Sequence, residues 1–272
     1  MTCGIPSKVA GVYIRMKSVR QKEIIRILEQ EKIVNTVKMA QKFGVSVETI
    51  RRDFDHLEKQ GILIKNYGGA ELRVHEGPYL PPLVIRHGFF HAAKAAIAAQ
   101  AIQYIPDGVT IALDAGSTIF ELCKQLRQRK ELIVICGDIH SAGEILTSSS
   151  NKVYMMGGFL TSNGTSSGTF AAEVLDNISK IDIFLCSTDG ASAEDGLSTD
   201  EANINGLKKQ YIKKAKTKIA LIDHSKFSKK GFYRLCDFSD IDLLITDSET
   251  PSEIIGRIRE CGTQVDVVSV PT

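Results

Sequence analysis

Two adjacent arginines, Arg51 and Arg52, lie in the stretch GVSVETIRRDFDHLEKQG. The apolar residues of this stretch fall within roughly 80° of one another on a 3.6-residue helical wheel. They are Val47, Ile50, Phe54 and Leu57. On that wheel Arg52 points away from the apolar stripe and Arg51 lies at its flank, with Thr49 and His56 on the exposed side. Side chains of these types contact phosphates and base edges of nucleic acids, but a solvated helix that binds protein also carries them.

A second group of small and hydroxyl-bearing residues could bind an anion. The stretch LDAGST runs from a buried apolar run directly into a helix, so Ser117 and Thr118 stand where free N–H groups favour negative charge. The predicted ligand contacts in this loop are Asp114, Ala115, Gly116, Ser117 and Thr118. A tight turn with a Ser or Thr cap explains the same residues equally well.

Three further segments could complete that site. The glycines of MGG and STDG end apolar runs, where they let backbone approach a ligand, and Asp189 can accept hydrogen bonds from sugar hydroxyls. Lys226, in DHSKF, is a candidate cation for the anion. The additional effector-binding candidates are Gly157, Gly158, Asp189, Gly190, Lys208 and Lys226. Taken singly, each is also explained as a strand-ending glycine, a turn aspartate or a surface lysine.

The elements around the two arginines indicate a small helical domain. A helix is predicted from about residue 19 to residue 30, because isoleucines and a leucine recur there at helical spacing between charged residues. A short helix follows in NTVKMAQKFG, with Asn35 or Thr36 as its cap and Gly44 as its stop. The arginine-bearing helix follows the cap residue Ser46 and ends at the glycine of KQG.

The residues after the third helix predict a β-hairpin. In ILIKNYGGAEL, two short apolar runs are separated by Asn66, Gly68 and Gly69, which are typical of tight turns. Three helices and a hairpin make a winged helix-turn-helix, whose third helix enters the major groove while the wing meets the DNA backbone. The predicted DNA-binding residues are Ser46, Glu48, Thr49, Arg51, Arg52, His56, Lys65 and Asn66.

Charge is distributed unevenly along the chain. Residues 1 to 75 contain 14 Lys and Arg against 8 Asp and Glu, whereas the remainder contains 20 against 24, for a net charge of +2. A basic first part joined to a mildly acidic second part suggests that the first part binds a polyanion. Because many solvated domains carry a similar charge, this supports the helix-turn-helix prediction without establishing it.

The composition is that of a soluble globular protein, with 43% hydrophobic and 24% charged residues among 272. No apolar run approaches the roughly 18 residues needed to cross a bilayer, and the N-terminal stretch lacks the apolar centre of a signal peptide. We therefore expect a cytoplasmic protein.

The cysteines and histidines give no sign of a metal site or a disulfide framework. The six cysteines have no C-x-x-C spacing, so we expect reduced, mostly buried thiols. They are Cys3, Cys123, Cys136, Cys186, Cys236 and Cys261. His87 and His91 are four residues apart but flank a glycine and two phenylalanines, and we interpret the pair as incidental. We expect neither a metal nor a cofactor.

After a proline-containing stretch, apolar runs alternate with helical patterns to the end of the chain. Strands without polar alternation, joined by helices, indicate a mostly parallel sheet covered on both faces, with ligands at the carboxyl ends of the strands. The predicted organisation is therefore a winged helix-turn-helix over 16–74, a linker over 75–90 and an α/β domain over 91–272.

The stretch from Arg20 to Leu72, above all VSVETIRRDFDHLEKQGILIKNYGGA, closely resembles the N-terminal domain of the DeoR family of bacterial transcriptional regulators. The later segments DAGST, MGG, TDG and DHSKF resemble the family's C-terminal effector domain, whose fold is similar to that of ribose-5-phosphate isomerase. Together the two resemblances cover roughly Arg20 to the end of the chain. Because members of the family commonly begin a few residues before the first helix, the resemblance implies that residues 1–15 are an upstream extension or an early start. It also implies that residues 91–272 form an effector-binding and oligomerisation domain.

This resemblance implies a homo-oligomeric repressor, a dimer or tetramer, that binds double-stranded operator DNA and controls genes of sugar catabolism in response to a phosphorylated sugar. The chain departs from the family pattern at Cys136 and Gly137, where members usually have a Thr-Asn pair. It also departs at Asn203 or Ile204, where a glutamate is usual, although Glu201 is close by. These departures leave the identity of the sugar open.

The sequence is also compatible with two enzymes in place of a regulator, a sugar-phosphate isomerase and a serine hydrolase. A sugar-phosphate isomerase with an attached DNA-binding domain would need paired acid and base groups. The isomerases carry D-G-A-D where this chain has DGAS, so Asp189 keeps one carboxylate and Ser192 lacks the other, which favours binding without turnover. The stretch GTSSG matches the nucleophile elbow of hydrolases around Ser166, but the preceding FLTSN is a poor candidate for the buried strand that an elbow requires.

Overall fold

A computed structural model describes residues 19–21, 23–28, 31–59, 62–72, 89–147, 150–161 and 163–270. The chain divides into two compact units, and the division lies between Phe90 and His91. The predicted extension over residues 1–15 and most of the predicted linker over 75–90 lie outside the described residues. Among the helices described, none has the length and apolar character to span a membrane.

Within its described residues, the first unit contains three helices and three short strands. Its elements are α1 (helical residues 19–21, 23–28 and 31), β1 (Ile33–Asn35), α2 (Thr36–Phe43), α3 (Val47–Lys59), β2 (Leu63–Asn66) and β3 (Gly69–Leu72). The apolar stripe predicted for α3 is confirmed, because Ile50, Phe54 and Leu57 are buried and Val47 packs against the same core. The three predicted helices and the hairpin are therefore present, and the winged helix-turn-helix prediction is confirmed.

One strand of this unit was not predicted. β1 pairs antiparallel with β3, with Val34 opposite Ala70, so the hairpin becomes a three-stranded sheet. Three residues show no alternation that could reveal a strand, and their partner lies more than 30 residues further along the chain. A Cβ at Gly69 would collide with the carbonyl oxygen of Val34, so the second glycine of the wing is needed for close approach to β1.

A buried carboxylate joins α1 to α3. Asp53 is 1% exposed, and it accepts hydrogen bonds from Arg20 Nε at 2.6 Å and from Gln21 Nε2 at 3.0 Å. A charged group in a core is tolerated when it is paired and hydrogen-bonded. The aspartate that follows the arginine pair therefore holds the helices together and does not face DNA.

The second unit alternates strands with helices. Its strands are β4 (Thr110–Leu113), β5 (Ile133–Cys136), β6 (Lys152–Met155), β7 (Phe159–Leu160), β8 (Ser166–Ser167), β9 (Ile181–Cys186), β10 (Gly190–Ser192), β11 (Gly196–Thr199), β12 (Ala215–Leu221), β13 (Tyr233–Cys236), β14 (Leu243–Asp247) and β15 (Gln264–Val268). Its α-helices are α4 (His91–Ala101), α5 (Ser117–Gln125), α6 (Ile139–Leu146), α7 (Thr169–Asp176), α8 (Ala202–Lys214) and α9 (Ser252–Glu260). Its 3-10 helices are Ile102–Tyr104, Leu126–Gln128, His224–Lys226 and Phe238–Asp240.

Seven strands form one parallel sheet in the order β15-β14-β12-β9-β4-β5-β6. Both faces are buried, because alternate residues of each central strand enter different cores. In β9, Phe184 and Cys186 belong to one core, whereas Ile183 and Leu185 belong to the other. This explains the absence of polar alternation, and the α/β prediction is confirmed.

Two smaller antiparallel pairings were not predicted. β10, β11 and β13 form a three-stranded sheet, and β7 pairs with β8. These strands have two to four residues each, which is too short for a periodic pattern to be recognised.

The sheet has a switch point between β4 and β9. From β4 the chain continues to β5 and β6 on one side, whereas β9 leads to β12, β14 and β15 on the other. In open α/β sheets a crevice forms where the strand order reverses, outside the carboxyl ends of the strands, and ligands bind there. The crevice here lies between the loops that follow Leu113 and Cys186.

We expect Asp53→Ala to destabilise the first unit by about 3–5 kcal/mol, because it leaves the charge of Arg20 without its buried partner. Amide hydrogen exchange, followed by mass spectrometry on peptides from α1 and α3, measures the effect in the intact chain. The control is Glu23→Ala, which breaks the more exposed Glu23–Arg26 pair and should cost no more than about 1 kcal/mol. Equal loss of protection in both variants would contradict the assignment of Asp53 as the anchor.

Candidate functional site

The arginine pair is exposed on α3. The side chains of Arg51 and Arg52 are 66% and 76% exposed, and both lie near Glu48, at 3.8 Å and 3.6 Å. Exposed pairs of this length are weak, so either guanidinium can leave Glu48 for a phosphate or a base edge. The wheel-based prediction that the two arginines do not pack in the core agrees with this exposure.

The beginning of α3 is held by Ser46 and Thr49. The Thr49 N–H donates to Ser46 Oγ at 3.1 Å, and the two hydroxyl groups are hydrogen-bonded at 2.9 Å. This bond positions the first turn of the helix, which in a helix-turn-helix is the part that meets the groove. Glu48 and His56 are also exposed, whereas Thr49 is half-buried.

The wing places Lys65 and Asn66 differently. Lys65 Nζ lies 2.6 Å from Asp55 and 3.4 Å from Glu58, so the lysine is tied back to α3. Hydrogen bonds to these two carboxylates raise the pKa of Lys65. Asn66 is exposed, and Tyr67 at the tip of the turn is fully exposed. Tyr67 was not among the predicted DNA-binding residues.

The crevice of the second unit is built around a buried ion pair. Asp114 follows β4, and its carboxylate lies 2.7 Å from Lys208 Nζ on α8. Asp114 also accepts hydrogen bonds from the Ser187 N–H at 2.9 Å and from Ser187 Oγ at 3.2 Å, and Lys208 donates to the Ser187 carbonyl at 3.0 Å. These three residues tie together the ends of β4 and β9 and the helix α8.

The ion pair changes the expected roles of its members. Burial alone would lower the pKa of Lys208. The nearby carboxylates of Asp114 and Asp189 raise it by more than burial lowers it, so the pKa lies above its ordinary value. Lys208 is therefore a buried cation that is already compensated by Asp114. Both residues position the crevice, and the charge that meets an anion must come from elsewhere.

Beside this pair, the N-terminus of α5 has free donors. Gly116 is the N-cap, and no side chain caps the helix. The first backbone hydrogen bond of the helix runs from the Phe120 N–H to the Gly116 carbonyl. Ser117 and Thr118 are buried in the first turn. A Cβ at Gly116 would collide with Ser187 Oγ, so any larger residue would force the Ser187 hydroxyl away from Asp114. Hydroxyls and N–H groups at a helix N-terminus form an anion site.

Asp189 and Lys226 lie at the ends of neighbouring strands. Asp189 follows β9, and Lys226 ends the 3-10 helix that follows β12. Because β9 and β12 pair side by side, their carboxyl ends reach the same edge of the sheet as Asp114. Gly190 is buried, and a Cβ there would collide with the backbone of Lys229. In the structure, Gly190 therefore admits a protein loop where we expected it to face a ligand.

The MGG loop lies farther away. Gly157 and Gly158 are exposed and follow β6, which is separated from β4 by β5. Two strand spacings correspond to about 10 Å. Gly157 and Gly158 are therefore separated from the Asp114 loop by the width of one intervening strand.

The loop that carries Lys226 is anchored through His224. The His224 N–H and ring Nδ1 both contact the carboxylate of Asp247 at 2.8 Å, and Asp247 is fully buried at the end of β14. Burial lowers the pKa of His224, but the hydrogen bond and charge of Asp247 more than offset this, so the pKa is raised.

The hydrolase motif is not arranged as a nucleophile elbow. Ser166 begins β8 and pairs with Leu160 in an antiparallel hairpin, so the serine does not follow a buried strand. Its hydroxyl is buried and donates to the Met156 carbonyl. An elbow needs the serine exposed at the end of a strand, and this arrangement does not provide it.

Among the described residues, no group of three or more His, Cys, Asp and Glu side chains is placed to hold a metal ion. The five cysteines in the described part are free, and four of them are buried, as the sequence predicts. Burial raises the pKa of Cys136 and of Cys236 to about 12 in each case.

The chain matches two family models. Residues 20–75 match the DeoR-like helix-turn-helix domain, and residues 90–248 match the DeoR C terminal sensor domain. The chain belongs to the DeoR family. A relative from Escherichia coli, named putative aga operon transcriptional repressor, is 30% identical over 92% of this chain and 94% of its own length.

Other DeoR-family relatives have comparable coverage. The HTH-type transcriptional regulator GolR of Listeria innocua is 30% identical over 91% of this chain and 97% of its own length. The glycerol-3-phosphate regulon repressor of Escherichia coli is 24% identical over 91% and 98%. Among solved structures, ribose 5-phosphate isomerase A from Methanocaldococcus jannaschii is similar. The match covers 49% of this chain and 53% of the isomerase chain, at 18% sequence identity and a TM-score of 0.37.

We expect the His224–Asp247 contact to make the stability of this DeoR-family protein depend on pH. Because the pKa of His224 is raised on folding, its contribution is full below the unfolded value of about 6.5 and is lost as the pH rises through the folded value. His224→Gln should therefore lower Tm at about pH 5.5 and have a smaller effect at about pH 8.5. Far-UV circular dichroism measures both, and a constant difference across this range would contradict the prediction. The exposed His140→Gln is the control.

Proposed function

We propose that this DeoR-family protein is a sequence-specific DNA-binding repressor of a sugar or sugar-derivative catabolic operon, controlled by a phosphorylated sugar. The proposal is based on the presence of two features in the same chain. The first unit has the exposed Arg51 and Arg52 on α3, and the second unit has an α5 N-terminus without a side-chain cap in the switch-point crevice. Relatives named as repressors of the aga operon and of the glycerol-3-phosphate regulon support the same class of function. Its site of action is then the bacterial cytoplasm, where operator DNA lies.

In this proposal α3 supplies the DNA contacts. Arg51 and Arg52 reach phosphates and base edges, and the Ser46–Thr49 bond keeps the first turn of α3 in register with the groove. Two subunits present their helices to successive half-sites, because a single helix binds too weakly to select a sequence. Lys65 is held by two carboxylates of α3, so its contribution is smaller than that of either arginine.

The second unit supplies the control. A phosphate group would accept hydrogen bonds from the first-turn N–H groups and hydroxyls of Ser117 and Thr118, with Lys226 as the counter-charge. The Asp114–Lys208 pair holds these groups in place, and its two charges bind each other and not the phosphate. A sugar phosphate changes DNA affinity only if it binds the two conformations of the protein with different affinity, and the sign of that difference decides whether it releases or strengthens repression.

The isomerase-like alternative needs two carboxylates, and this chain has one of them. Asp189 is present, whereas Ser192 stands in the second position and its hydroxyl accepts a hydrogen bond from the Asp195 N–H at 3.0 Å. Relatives that match nearly the whole chain are named as regulators. Turnover of a sugar phosphate by the purified protein, abolished in Asp189→Asn, would favour the isomerase-like alternative.

We expect Arg51→Ala and Arg52→Ala to weaken binding to DNA from upstream of the protein's own gene. The loss should be about 1–3 kcal/mol and selective for the operator if the arginine reads a base, or equal on all sequences, with a reduced salt slope, if it holds a phosphate. Fluorescence anisotropy over a salt series measures both. The exposed Lys130→Ala, which removes the same charge from the second unit, should leave affinity and slope unchanged. Unaltered binding by both arginine variants would rule out this face as the DNA contact.

We expect a panel of sugar phosphates, added to the protein–DNA complex, to include a compound that changes the anisotropy. Ser117→Ala and Lys226→Ala should bind DNA as the wild type does but respond at about tenfold or higher concentrations of that compound, because each loses a hydrogen bond to a charged group. The control is Lys180→Ala, an exposed lysine on the same unit. A wild-type complex that responds to no compound would overturn the effector assignment and leave the DNA-binding assignment intact.

A further inference from the structure

Charged groups surround the crevice in two sets. The inner set is buried and internally paired, with Lys208 2.7 Å from Asp114 and Lys94 4.0 Å from Asp223. The outer set lies nearer to solvent, where Asp189, Asp200 and Lys226 are half-buried and Lys229 is exposed. The inner set has a structural explanation in the anchoring of the strand ends. The outer set includes two residues, Asp200 and Lys229, to which the proposed function gives no role.

The loop that carries Lys229 is clamped against the strand ends. The Gly231 N–H donates to Ser198 Oγ at 2.8 Å, and the Phe232 N–H donates to Asp200 Oδ1 at 3.1 Å. The absence of a side chain at Gly190 admits the backbone of Lys229, and a Cβ at Gly231 would lie 2.7 Å from Thr199 N. The position of Lys229 beside the Asp189 loop is therefore determined by backbone packing on both sides.

The two carboxylates of the outer set are linked in the same way. The Asp200 N–H donates to Asp189 Oδ2 at 3.1 Å, which brings the two side chains to one side of the crevice. Burial first, and the charge of Asp189 in addition, raise the pKa of Asp200. Carboxylates held together at the edge of a crevice are acceptors for hydroxyl or amino protons of a ligand.

The two lysines are also neighbours. The Lys229 N–H donates to the Lys226 carbonyl at 3.2 Å, so the residues lie one turn apart. Partial desolvation of its ammonium group is the main reason that the pKa of Lys229 is lowered, and the positive charge of Lys226 lowers it further, whereas the carboxylates of Asp223, Asp189 and Asp200 raise it. Two ammonium groups that repel each other gain when a doubly charged anion binds between them.

We propose that Lys229 and Asp200 are specificity-determining residues of the effector site: Lys229 shares the anionic group with Lys226, and Asp200, together with Asp189, accepts hydrogen bonds from hydroxyl or amino groups of the ligand. The inference rests on the proposed sugar-phosphate function and assigns two residues that the motif-based prediction did not include. The phosphate end of the ligand lies at the two lysines, and its hydroxyl or amino groups lie at Asp200 and Asp189.

The lysine half of the site (Lys226 and Lys229) and the carboxylate half (Asp189 and Asp200) can be tested with ligands of different size. Inorganic phosphate reaches only the lysine half, whereas a hexose or pentose phosphate spans both. Lys229→Ala should weaken binding of inorganic phosphate and of sugar phosphates by about 10- to 100-fold, as loss of a charged hydrogen bond does. Asp200→Asn keeps the oxygen that accepts from Phe232 and removes one negative charge. It should therefore not weaken inorganic phosphate binding, and it should weaken sugar phosphate binding about tenfold.

Isothermal titration calorimetry of the full-length protein with inorganic phosphate, and with a panel of hexose and pentose phosphates, tests this assignment. The matched controls are Lys230→Ala and Asp195→Asn, which remove one charge each from the neighbouring exposed pair at 2.8 Å and should bind as the wild type does. Far-UV circular dichroism and DNA affinity verify that every variant is folded.

The outcomes separate this inference from the function on which it rests. Loss of binding in Lys226→Ala with wild-type affinity in Lys229→Ala would overturn the lysine pair and leave the proposed effector site intact. An Asp200→Asn variant that binds every sugar phosphate as the wild type does would overturn the carboxylate half. A wild-type protein that binds neither inorganic phosphate nor any member of the panel would overturn the proposed function and the inference together.

Discussion

The buried Asp114–Lys208 ion pair determines the arrangement of the crevice. It joins the end of β4 to α8, and through the hydrogen bonds of Ser187 it also includes the end of β9. These are the two strands between which the sheet order reverses. A buried charge needs its partner in place, so the pair restricts the Asp114 loop, the N-terminus of α5 and the Ser187 loop to one arrangement. The anionic group of the effector that we propose would then meet donors that are already oriented.

The first unit follows the same physical principle. Asp53 is buried and binds Arg20 and Gln21 of α1, and this interaction orients α3. The adjacent Arg51 and Arg52 remain exposed on the opposite face. In both units a paired buried carboxylate holds the surrounding elements together, and neighbouring residues of the same motif are the ones for which we propose ligand contacts. A motif such as T-I-R-R-D or D-A-G-S-T therefore mixes residues of two kinds.

Glycine positions show how close packing shapes both sites. Gly69 lets the wing approach β1, and Gly116 lets the Asp114 loop meet Ser187. Gly190 admits the loop that carries Lys229. At none of these positions does φ lie in the left-handed region, so the requirement for glycine is a matter of space. It arises from contacts with residues distant in the chain, which a local sequence pattern does not reveal.

The sequence alone determined the class of each unit. The apolar stripe of α3, the turn residues of the wing and the strands without polar alternation are local patterns, and they predicted a winged helix-turn-helix followed by a mainly parallel sheet. The exposure of Arg51 and Arg52 also follows from helical periodicity. Tertiary structure decided which charged residues are already paired within the protein. Asp114 and Lys208 are 94 positions apart, and their pairing removes both from the set of free charges. Asp200 and Lys229 lie near each other only because the strand ends and the 229–232 loop meet there. Periodicity describes neighbours along one element, whereas the balance of charge in a crevice depends on groups that several elements bring together.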